Sequence, residues 1–467
     1  MPSLFEFDPH ALELCRRLVD KGFEAYIVGG AVRDSLLGRP TGDVDIATSA
    51  RPPQVMALFR NTIPTGLKHG TLTVIQGGKP FEVTTFRADG TYSDGRHPDQ
   101  VAFSDTLEED LARRDFTINA LAWSPVTESL VDRWDGTGDL GRKLIRTIGD
   151  PRERFGEDAL RMMRACRFSA QLGFAIDAAA AEAMRALAAN LKQVSAERLR
   201  DELSKILLSP SPSTGLEACR VTGLLPVFLP ELNVCWGVDQ NSFHRYDVYW
   251  HILKTLDAFT PADALPVRLA GLFHDIAKPQ TRRPTPGKSE PVFYNHEVVG
   301  AAMAGRIMRR LKFSNDEVAT VTHLVRHHMF HYTPTWTKGA VRRFIRNVGP
   351  DQLPTLFSLR NADRLGNGKR EATCDEIEEF KVKISEVFAE QSALAIKDLA
   401  IGGHDLMEAF QLAPGPLIGR TLHHLLELVL DDPSLNEREG LLKLSGEYLA
   451  AGAPKPAKDD SPSSDPA

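Results

Sequence analysis

A change in hydrophobic patterning near residue 149 most constrains the fold of this chain of 467 residues. Before it, short apolar runs between Gly and Pro residues predict four strands, at 23–30, 43–48, 71–76 and 80–87. Helices are predicted at 31–38 and 107–124, with turns at 130–140. After it, helical spacing predicts three helices, at 156–173, 178–191 and 195–208, and no further strand. The sequence therefore predicts an α+β head, a small mixed sheet with helices, followed by an all-α body.

Composition narrows the class of protein. The chain is 42% hydrophobic and 25% charged, as is usual for globular proteins, and carries no apolar run long enough to predict a membrane span. The first residues include acidic side chains and no apolar core, so no secretory signal is predicted. Five dispersed cysteines without a CxxC pair predict reduced thiols and a cytoplasmic location; they are Cys15, Cys166, Cys219, Cys235 and Cys374. The net charge of −6 argues weakly against nucleic acid as a partner.

Two glycines and two carboxylates lie close together near the N-terminus. Gly29 and Gly30 follow a predicted strand, and Asp43 and Asp45 alternate along the next one. Alternate strand residues share a face, so these carboxylates repel each other unless a cation lies between them. Mg²⁺ favours one or two carboxylates together with substrate phosphates. Either motif alone is better explained as a tight turn or a solvated strand, but the combination predicts a site for Mg²⁺ and a nucleotide phosphate.

Further residues extend this predicted site. Glu82 is a third acid on a neighbouring strand, and two metal ions held by three acids can activate a hydroxyl and stabilise leaving pyrophosphate. The glycine turn allows the backbone to approach a triphosphate, and Arg33 can add a charge-assisted hydrogen bond.

A second feature is the spacing of Asp158 and Arg161, which are three residues apart in a predicted helix and would share a face. A carboxylate beside a guanidinium accepts on one side and donates on the other. Cytosine and adenine match that order on their pairing edges, whereas guanine and uracil reverse it. Arg164 and Arg167 follow along the helix and could reach phosphates. The alternative is an ordinary surface salt bridge.

Five ordered motifs carry a family resemblance: GGAVRD, DVDIAT, FEVTTFR, RRDFTINALA and GEDALRMMRACRF. They resemble the bacterial tRNA nucleotidyltransferase and poly(A) polymerase family, which has a polymerase beta-like nucleotidyltransferase head. The resemblance covers residues 24–210, and residues 396–442 are similar to the family's C-terminal region. It implies metal-dependent, template-independent addition of CCA to the 3′ end of tRNA from CTP and ATP, with release of pyrophosphate.

The resemblance also implies roles for individual residues. Asp43 and Asp45 correspond to metal ligands, and Gly30 and Arg33 to nucleotide contacts. The sugar and phosphate site corresponds to Arg114, Asp115 and Asn119, and the nucleotide-reading helix to Asp158, Arg161, Arg164 and Arg167. The polar segment 88–103 corresponds to a flexible loop that helps the site switch from C to A, and its presence argues against a CC-only enzyme. It could equally be a plain connecting loop.

Histidines are concentrated downstream, with eight of the 14 between residues 244 and 331. Together with two aspartates they resemble the HD superfamily of metal-dependent phosphohydrolases. The resemblance implies a site for a transition metal such as Ni²⁺ or Mn²⁺, with ligands His251, His274, Asp275 and Asp363. His296 and His327, or His328, could complete a second metal site. An intact site is favoured over a structural relic, and 2′,3′-cyclic or terminal phosphates on RNA would suit it as substrates.

These observations predict six segments: a nucleotidyltransferase head (1–148), a helical neck with the reading helix (149–210), a helical connector (211–243), an HD domain (244–365), a C-terminal helical RNA-binding region (366–450) and a disordered tail (451–467). Local charge excesses of +4 in 142–167 and +7 in 303–346 could track a tRNA backbone.

The sequence leaves several functions open. An A-adding tRNA nucleotidyltransferase and a poly(A) polymerase share the same chemistry. A different class is an HD phosphohydrolase whose head only binds RNA ends, which the intact Asp43 and Asp45 disfavour. The sequence does not rank CCA addition against A addition, and it leaves the oligomeric state undetermined.

Overall fold

A computed structural model describes residues 5–67, 70–89, 101–241, 244–284, 290–369, 375–390 and 393–452. Most of the predicted flexible loop, nearly all of the predicted tail, and Cys374 lie outside these residues. The chain divides into two compact units, one of residues 1–234 with 310–313 and one of residues 235–309 with 314–467. The boundary at Val234 falls within the segment that the sequence predicts as a connector.

The first unit is built on a mixed sheet. Its strands are β1 (Ala25–Val28), β2 (Asp45–Thr48), β3 (Thr62–Gly66), β4 (Thr71–Gln76), β5 (Lys79–Thr85), β6 (Arg87–Asp89), β7 (Val101–Phe103), β8 (Leu121–Ser124), β9 (Ser129–Asp132), β10 (Leu144–Ile145) and β11 (Ala175–Ile176). Seven of them form one sheet in the order β3-β4-β5-β2-β1-β8-β9, with β2 and β5 parallel and the other neighbours antiparallel. The sheet and the helices that follow it confirm the predicted fold class.

Helices surround and follow this sheet. They are α1 (Pro9–Val19), α2 (Gly30–Leu36), α3 (Pro52–Leu58), α4 (Leu107–Ala112), α5 (Gly136–Arg142), α6 (Pro151–Glu157), α7 (Leu160–Leu172), α8 (Ala178–Leu187), α9 (Ala196–Leu207), α10 (Pro212–Val221), α11 (Leu225–Phe228) and α12 (Pro230–Asn233). Side chains start several of them: Thr106 accepts from the Glu109 amide at α4, and Asp177 accepts from Ala179 and Ala180 at α8. Helix α7 ends at Gly173, whose φ of 71° is the left-handed conformation that suits glycine.

The prediction of one helix over 107–124 is wrong. Only α4 at its start is α-helical; a 3₁₀ turn follows at Thr117–Asn119, and the last four residues are β8. Strand β8 is buried along its whole length between β1 and β9, and a continuous apolar run of this kind looks the same in a buried helix or strand. The predicted turns at 130–140 are likewise partly wrong, since they contain the end of β9 and most of α5.

The second unit is mainly helical. Its helices are α13 (Val248–Asp257), α14 (Leu265–Phe273), α15 (Lys278–Thr281), α16 (His296–Arg310), α17 (Asn315–His327), α18 (Lys338–Val348), α19 (Leu353–Gly366), α20 (Asp375–Ala389), α21 (Gly403–Phe410), α22 (Pro416–Asp431) and α23 (Arg438–Ala450). The two-residue strands β12 (Arg283–Pro284) and β13 (Pro291–Val292) pair with each other. With β11, these short strands are exceptions to the prediction of no strand after residue 149.

An aliphatic cluster and an aromatic cluster contribute to the core of this unit. Leucines and valines of α21, α22 and α23 pack around the fully buried Leu406, Leu425 and Leu441. In the aromatic cluster, the Tyr332 ring stacks on Phe380 with 4.4 Å between centroids.

Among the described residues, no helix combines the length and apolar character needed to cross a membrane. The four cysteines that the structure describes are all buried.

Helix α10 packs closely on α7 and α9 through Gly215. A Cβ at this position would lie 2.9 Å from the Ala170 Cβ, 3.0 Å from the Ile206 Cγ2 and 3.1 Å from the Cys166 carbonyl oxygen. Such distances are too short for a methyl group, so the absence of a side chain permits this helix contact.

We therefore expect Gly215→Ala to destabilise the first unit by about 1–3 kcal/mol through overpacking. Gly141→Ala is the matched control, because Gly141 lies in α5 with no atom within 4 Å of an added Cβ. That variant should be neutral or stabilising by up to about 1 kcal/mol. The measurement is urea-induced unfolding followed by circular dichroism, and equal midpoints for the two variants would contradict the packing argument.

Candidate functional site

The glycine turn at the end of β1 lies against a guanidinium. Gly29 has a φ of 72° and precedes the first turn of α2. A Cβ on Gly29 would lie 2.9 Å from the Arg114 Nη1, and Arg114 also forms an ion pair of 3.3 Å with the buried Asp110. The turn therefore needs glycine both for its backbone conformation and for its approach to a positive charge.

Three carboxylates lie near this turn. Asp45 is the first residue of β2 and is in register with Glu82 on the parallel strand β5, so the two side chains share a face. Asp43 precedes β2 and is exposed, so the prediction that both aspartates belong to one strand holds for Asp45 alone. Burial, followed by repulsion from Glu82 and Asp43, raises the pKa of Asp45 to about 6, while Arg114 opposes the shift.

This electrostatic arrangement fits a divalent cation. A partly buried carboxylate such as Asp45, whose pKa is raised by burial and by neighbouring acids, is stabilised in its charged form when a cation binds beside it. The three head carboxylates are less tightly grouped than the histidine sites below: among the described residues, donor atoms of three side chains lie within 4.8 Å of one another only in the second unit.

A chain of ion pairs and hydrogen bonds links three of the sequence motifs. Arg33 binds Asp34 through two hydrogen bonds of 3.0 Å and donates to the Asn119 Oδ1 at 2.7 Å. Asn119 donates to the Asp115 Oδ1 at 3.0 Å, and the Arg164 Nε donates to the Asp115 Oδ2 at 2.7 Å. The head is thereby joined to α7 through buried polar side chains.

The charge of Asp115 depends on this chain of contacts. Burial alone would raise its pKa, but Arg164 and the hydrogen bond from Asn119 lower it from an ordinary value of 3.8 to about 2. Three guanidinium groups also surround the ring of Phe168, at 4.2 Å for Arg167, 5.2 Å for Arg33 and 5.6 Å for Arg164. The structure thus brings the predicted residues Arg33, Asp115, Asn119, Arg164 and Arg167 together.

Asp158 and Arg161 do not share a helical face. Asp158 has extended backbone angles (φ −147°, ψ 105°) between α6 and α7, and α7 begins two residues later. The Arg161 side chain donates to the Arg154 carbonyl at 3.0 Å and the Arg113 carbonyl at 3.2 Å. The premise of one shared face is therefore wrong, because the helix is interrupted at Asp158.

Sequence reasoning missed the residue that binds Asp158. The Arg198 Nη2 lies 2.7 Å from the Asp158 Oδ2, although the two residues are 40 positions apart. Arg198 lies in α9, which the sequence predicts as an amphipathic helix, but its spacing gives no sign of a distant partner. Only the packing of α9 beside α7 brings the pair together.

The predicted histidine cluster in the second unit is present and buried. The His251 Nε2 lies 3.1 Å from the His274 Nε2 and 3.1 Å from the Asp363 Oδ1. The His296 Nε2 lies 3.3 Å from the His328 Nε2 and 3.3 Å from the Asp275 Oδ1. Each group places three donor atoms within 4.8 Å of one another, a spacing that could hold a metal ion.

The orientation of the imidazole rings supports this interpretation. The Nδ1 atoms of His274, His296 and His328 lie 2.7–2.8 Å from backbone carbonyl oxygens. A Nδ1–H that donates to a carbonyl leaves Nε2 as a bare lone pair, which is the form that binds a metal. Hydrogen bonds from Nδ1 to a backbone carbonyl are typical of histidines that bind a metal through Nε2.

One carboxylate reaches both groups. The Asp275 Oδ2 lies 3.2 Å from the His251 Nε2, while its Oδ1 faces His296. Burial opposes its ionisation, yet His274 and Lys278 hold the pKa of Asp275 well below its ordinary range. The Lys278 Nζ lies 2.7 Å from the Asp275 Oδ2. This arrangement suits two cations that share the Asp275 carboxylate.

The structure selects His328 rather than His327 for the second group. His327 is half-buried and packs on His323, with 4.5 Å between ring centroids. A residue that the sequence did not select, His244, lies beside the cluster, with its ring 5.4 Å from that of His251. Burial, then Lys278 and His251, lower the pKa of His244 to about 3.

In the two basic segments, 142–167 and 303–346, most of the positive side chains form ion pairs with acidic side chains of the fold. Ion pairs in the first join Arg142 to Asp135 and Asp139, Arg146 to Asp139, Arg152 to Glu182, Arg154 and Arg161 to Glu157, Arg164 to Asp115 and Arg167 to Glu202. Those in the second join Arg310 to Glu231, Arg326 to Glu297, Lys338 and Arg342 to Glu390, Arg343 to Glu427 and Asp431, and Arg346 to Glu427. The local charge excess therefore overstates the positive charge that is free to bind RNA.

Comparison with known proteins identifies the family. Three family models match: poly A polymerase head domain at residues 25–146, probable RNA and SrmB-binding site of polymerase A at 173–235, and putative tRNA nucleotidyltransferase domain 2 at 294–444. The CCA-adding enzyme of Limosilactobacillus reuteri is 46% identical over 462 residues, covering 97% of this chain and 99% of that protein. The CCA-adding enzyme of Leuconostoc mesenteroides is 35% identical over 447 residues, covering 94% and 96%. This chain belongs to the family of CCA-adding enzymes.

Solved structures of the family agree. The crystal structure of the Bacillus stearothermophilus CCA-adding enzyme in complex with CTP is 31% identical, with a TM-score of 0.73, and covers 96% of this chain and 99% of that one. A Thermotoga maritima CCA-adding enzyme complexed with tRNA has a TM-score of 0.56 at 18% identity and shows the shared fold. The segments matched by the three family models leave 236–293 uncovered, and His251, His274 and Asp275 of this chain lie there.

The lowered pKa of Asp115 predicts a contribution to stability that depends on pH. The group is charged in the folded protein down to pH of about 2, so its contribution is complete above 3.8 and is lost as the pH falls through about 2. The size is on the order of 2 kcal/mol.

We expect Asp115→Asn to lose most of this stabilisation at neutral pH and to show a flatter dependence of stability on pH in the acid range. Asp20→Asn is a control, since Asp20 is exposed at the end of α1. The measurement is the free energy of urea unfolding from about pH 7 down to about pH 2. Parallel curves for the wild type and Asp115→Asn would argue against the role of this carboxylate.

Proposed function

We propose that this chain adds the nucleotides C, C and A to the 3′ end of tRNA, using CTP and ATP and releasing pyrophosphate. The observation that carries this proposal is the head site, in which Arg114 lies against the glycine turn and acts on Asp45, beside the further acids Glu82 and Asp43. The relative solved with CTP, which is similar to this chain along nearly its whole length, supports CTP as a substrate. In the reaction, the terminal hydroxyl oxygen of the RNA bonds to the α-phosphorus of the nucleotide, and the bond to the β-phosphate breaks.

The head residues would have separate roles in this reaction. Asp43, Asp45 and Glu82 would hold Mg²⁺, which when bound offsets the negative charge of the triphosphate and of the attacking oxygen. Gly29, Gly30 and Arg114 would lie against the triphosphate. The chain Arg33–Asn119–Asp115–Arg164 would fix the sugar and phosphate side of the pocket to α7, and Arg167 would extend its positive side.

The base would be read without a template by Asp158 and Arg161. A carboxylate accepts the exocyclic amine of cytosine or adenine, and a guanidinium donates to the adjacent ring nitrogen. An A-adding enzyme or a poly(A) polymerase would need the same chemistry. CCA addition is favoured because the CCA-adding enzymes named above match this chain over nearly their full length.

A second activity is supported by the histidine cluster. We propose that the two donor groups sharing Asp275 bind a transition metal such as Ni²⁺ or Mn²⁺ and hydrolyse 2′,3′-cyclic or terminal phosphates on RNA ends. The bare Nε2 atoms and the buried carboxylates suit such metals better than Mg²⁺, which prefers oxygen ligands. Cations bound there would supply a nucleophilic water and neutralise phosphate charge. An HD phosphohydrolase with a non-catalytic head is disfavoured by the carboxylate cluster around Asp45.

The first test replaces a head carboxylate. Asp45→Asn should lower CTP and ATP addition to a tRNA transcript without CCA by roughly a thousandfold or more, because a metal ligand is lost. Asp105→Asn is the control, since this exposed carboxylate pairs with Arg51. The assay is incorporation of labelled nucleotide with circular dichroism as a check of folding. Near-normal incorporation by Asp45→Asn would refute the assignment.

The second test uses adjacent histidines. His328→Ala should bind at least one Mn²⁺ or Ni²⁺ equivalent fewer than the wild type, while His327→Ala should bind the same amount. Metal content after loading and gel filtration is measured by mass spectrometry, beside hydrolysis of an RNA ending in a 2′,3′-cyclic phosphate. Nucleotide addition should be unchanged in both variants. Loss of metal from His327→Ala, or none from His328→Ala, would overturn the ligand set; bound metal without hydrolysis would favour a structural relic.

A further inference from the structure

The Asp158 carboxylate is held from α9 by two parallel hydrogen bonds. The Arg198 Nη2 donates to Oδ2 at 2.7 Å, and its Nη1 donates to Oδ1 at 3.2 Å. The Leu160 amide also donates to Oδ1, at 3.0 Å. Both side chains are largely buried, with 14% of Asp158 and 24% of Arg198 exposed. A planar fork of this kind fixes the orientation of the carboxylate as well as its position.

These contacts leave a defined acceptor position. A carboxylate offers about four sites for hydrogen-bond donors, and the bonds from Arg198 and Leu160 are those that Asp158 makes within the described part of the chain. They occupy two sites on Oδ1 and one on Oδ2, so the remaining site lies on Oδ2. An ionised carboxylate accepts but cannot donate, so this site suits an amino group and repels a keto oxygen.

Arg161 is not the side chain that holds the Asp158 carboxylate. Its guanidinium is anchored to the Arg154 and Arg113 carbonyls and pairs with Glu157. The bidentate partner of Asp158 is therefore Arg198 of α9, a helix that follows α7 and α8 along the chain.

We propose that Arg198 is a positioning residue for base selection. It aims the open acceptor of Asp158 at the exocyclic amine of CTP or ATP and so sets the discrimination against UTP and GTP. The inference rests on the proposed nucleotide addition and on Asp158 as the reader of the base.

Two variants of Arg198 separate orientation from charge. Arg198→Met keeps the aliphatic stem but removes the fork, and Arg198→Lys keeps the charge as a single point. We expect Arg198→Met to lower the ratio of kcat/KM for CTP over UTP by roughly tenfold to a hundredfold. Arg198→Lys should recover part of the CTP addition but not the ratio, because one ammonium cannot fix the carboxylate plane.

The control is Arg200→Met, which also removes an arginine paired with an aspartate in α9, in this case Asp201. It should leave the ratio within about twofold of the wild type. Each protein is assayed with all four nucleotides on tRNA lacking CCA, and CTP and UTP binding is measured by calorimetry without tRNA. Circular dichroism checks folding, and Arg198→Lys decides the question if Arg198→Met is unfolded.

Wild-type ratios for Arg198→Met in both assays would overturn the proposal. A wild-type protein that binds CTP in preference to UTP but adds no nucleotide would instead contradict the proposed function, and the binding ratios would still decide the role of Arg198. A lower rate for Arg198→Met with an unchanged ratio would indicate a purely structural role and would also overturn it.

Discussion

The buried carboxylate of Asp115 joins the parts of the proposed nucleotide site. It accepts from Asn119 on one oxygen and from Arg164 on the other, and Asn119 in turn accepts from Arg33. Each member of this chain would be costly to bury alone, because an unpaired polar or charged group loses its hydration. The partners come from α2, from the 3₁₀ turn at Thr117–Asn119 and from α7, so the interaction ties α7 to the elements that surround the glycine turn.

Like-charge repulsion and pairing have opposite effects at the two ends of the head site. Burial disfavours the charged form of both groups, but donors around Asp115 lower its pKa overall, whereas burial together with Glu82 and Asp43 raises the pKa of Asp45. The first carboxylate has its charge balanced by partners within the chain. The second is left with excess negative charge, and a polar group that the fold does not satisfy by itself marks the place where a cation would bind.

Much of the fold could be predicted because local patterns decide it: the strands at Asp45 and Glu82, and the amphipathic α9, follow from apolar periodicity. Prediction failed where tertiary contacts decide. The β8 residues are buried on both faces, so periodicity could not distinguish strand from helix. Asp158 is three residues from Arg161, but the helix begins after it, and its partner Arg198 is distant in sequence. Spacing shows which residues share an element only when the element is continuous.

The histidine cluster shows that residue spacing also cannot predict which of two adjacent side chains enters a site. Spacing could not choose between His327 and His328, because the choice depends on which ring α17 turns towards Asp275 at its end. The structure decides it through the Val325 carbonyl, which lies 2.7 Å from the His328 Nδ1 and leaves Nε2 facing the cluster. The same kind of contact orients His274 and His296, so in each case the backbone carbonyl three residues before the ring sets the donor geometry. A cluster in which three of the rings are oriented in this way, and in which Asp275 reaches both groups, has a donor geometry suited to metal ions.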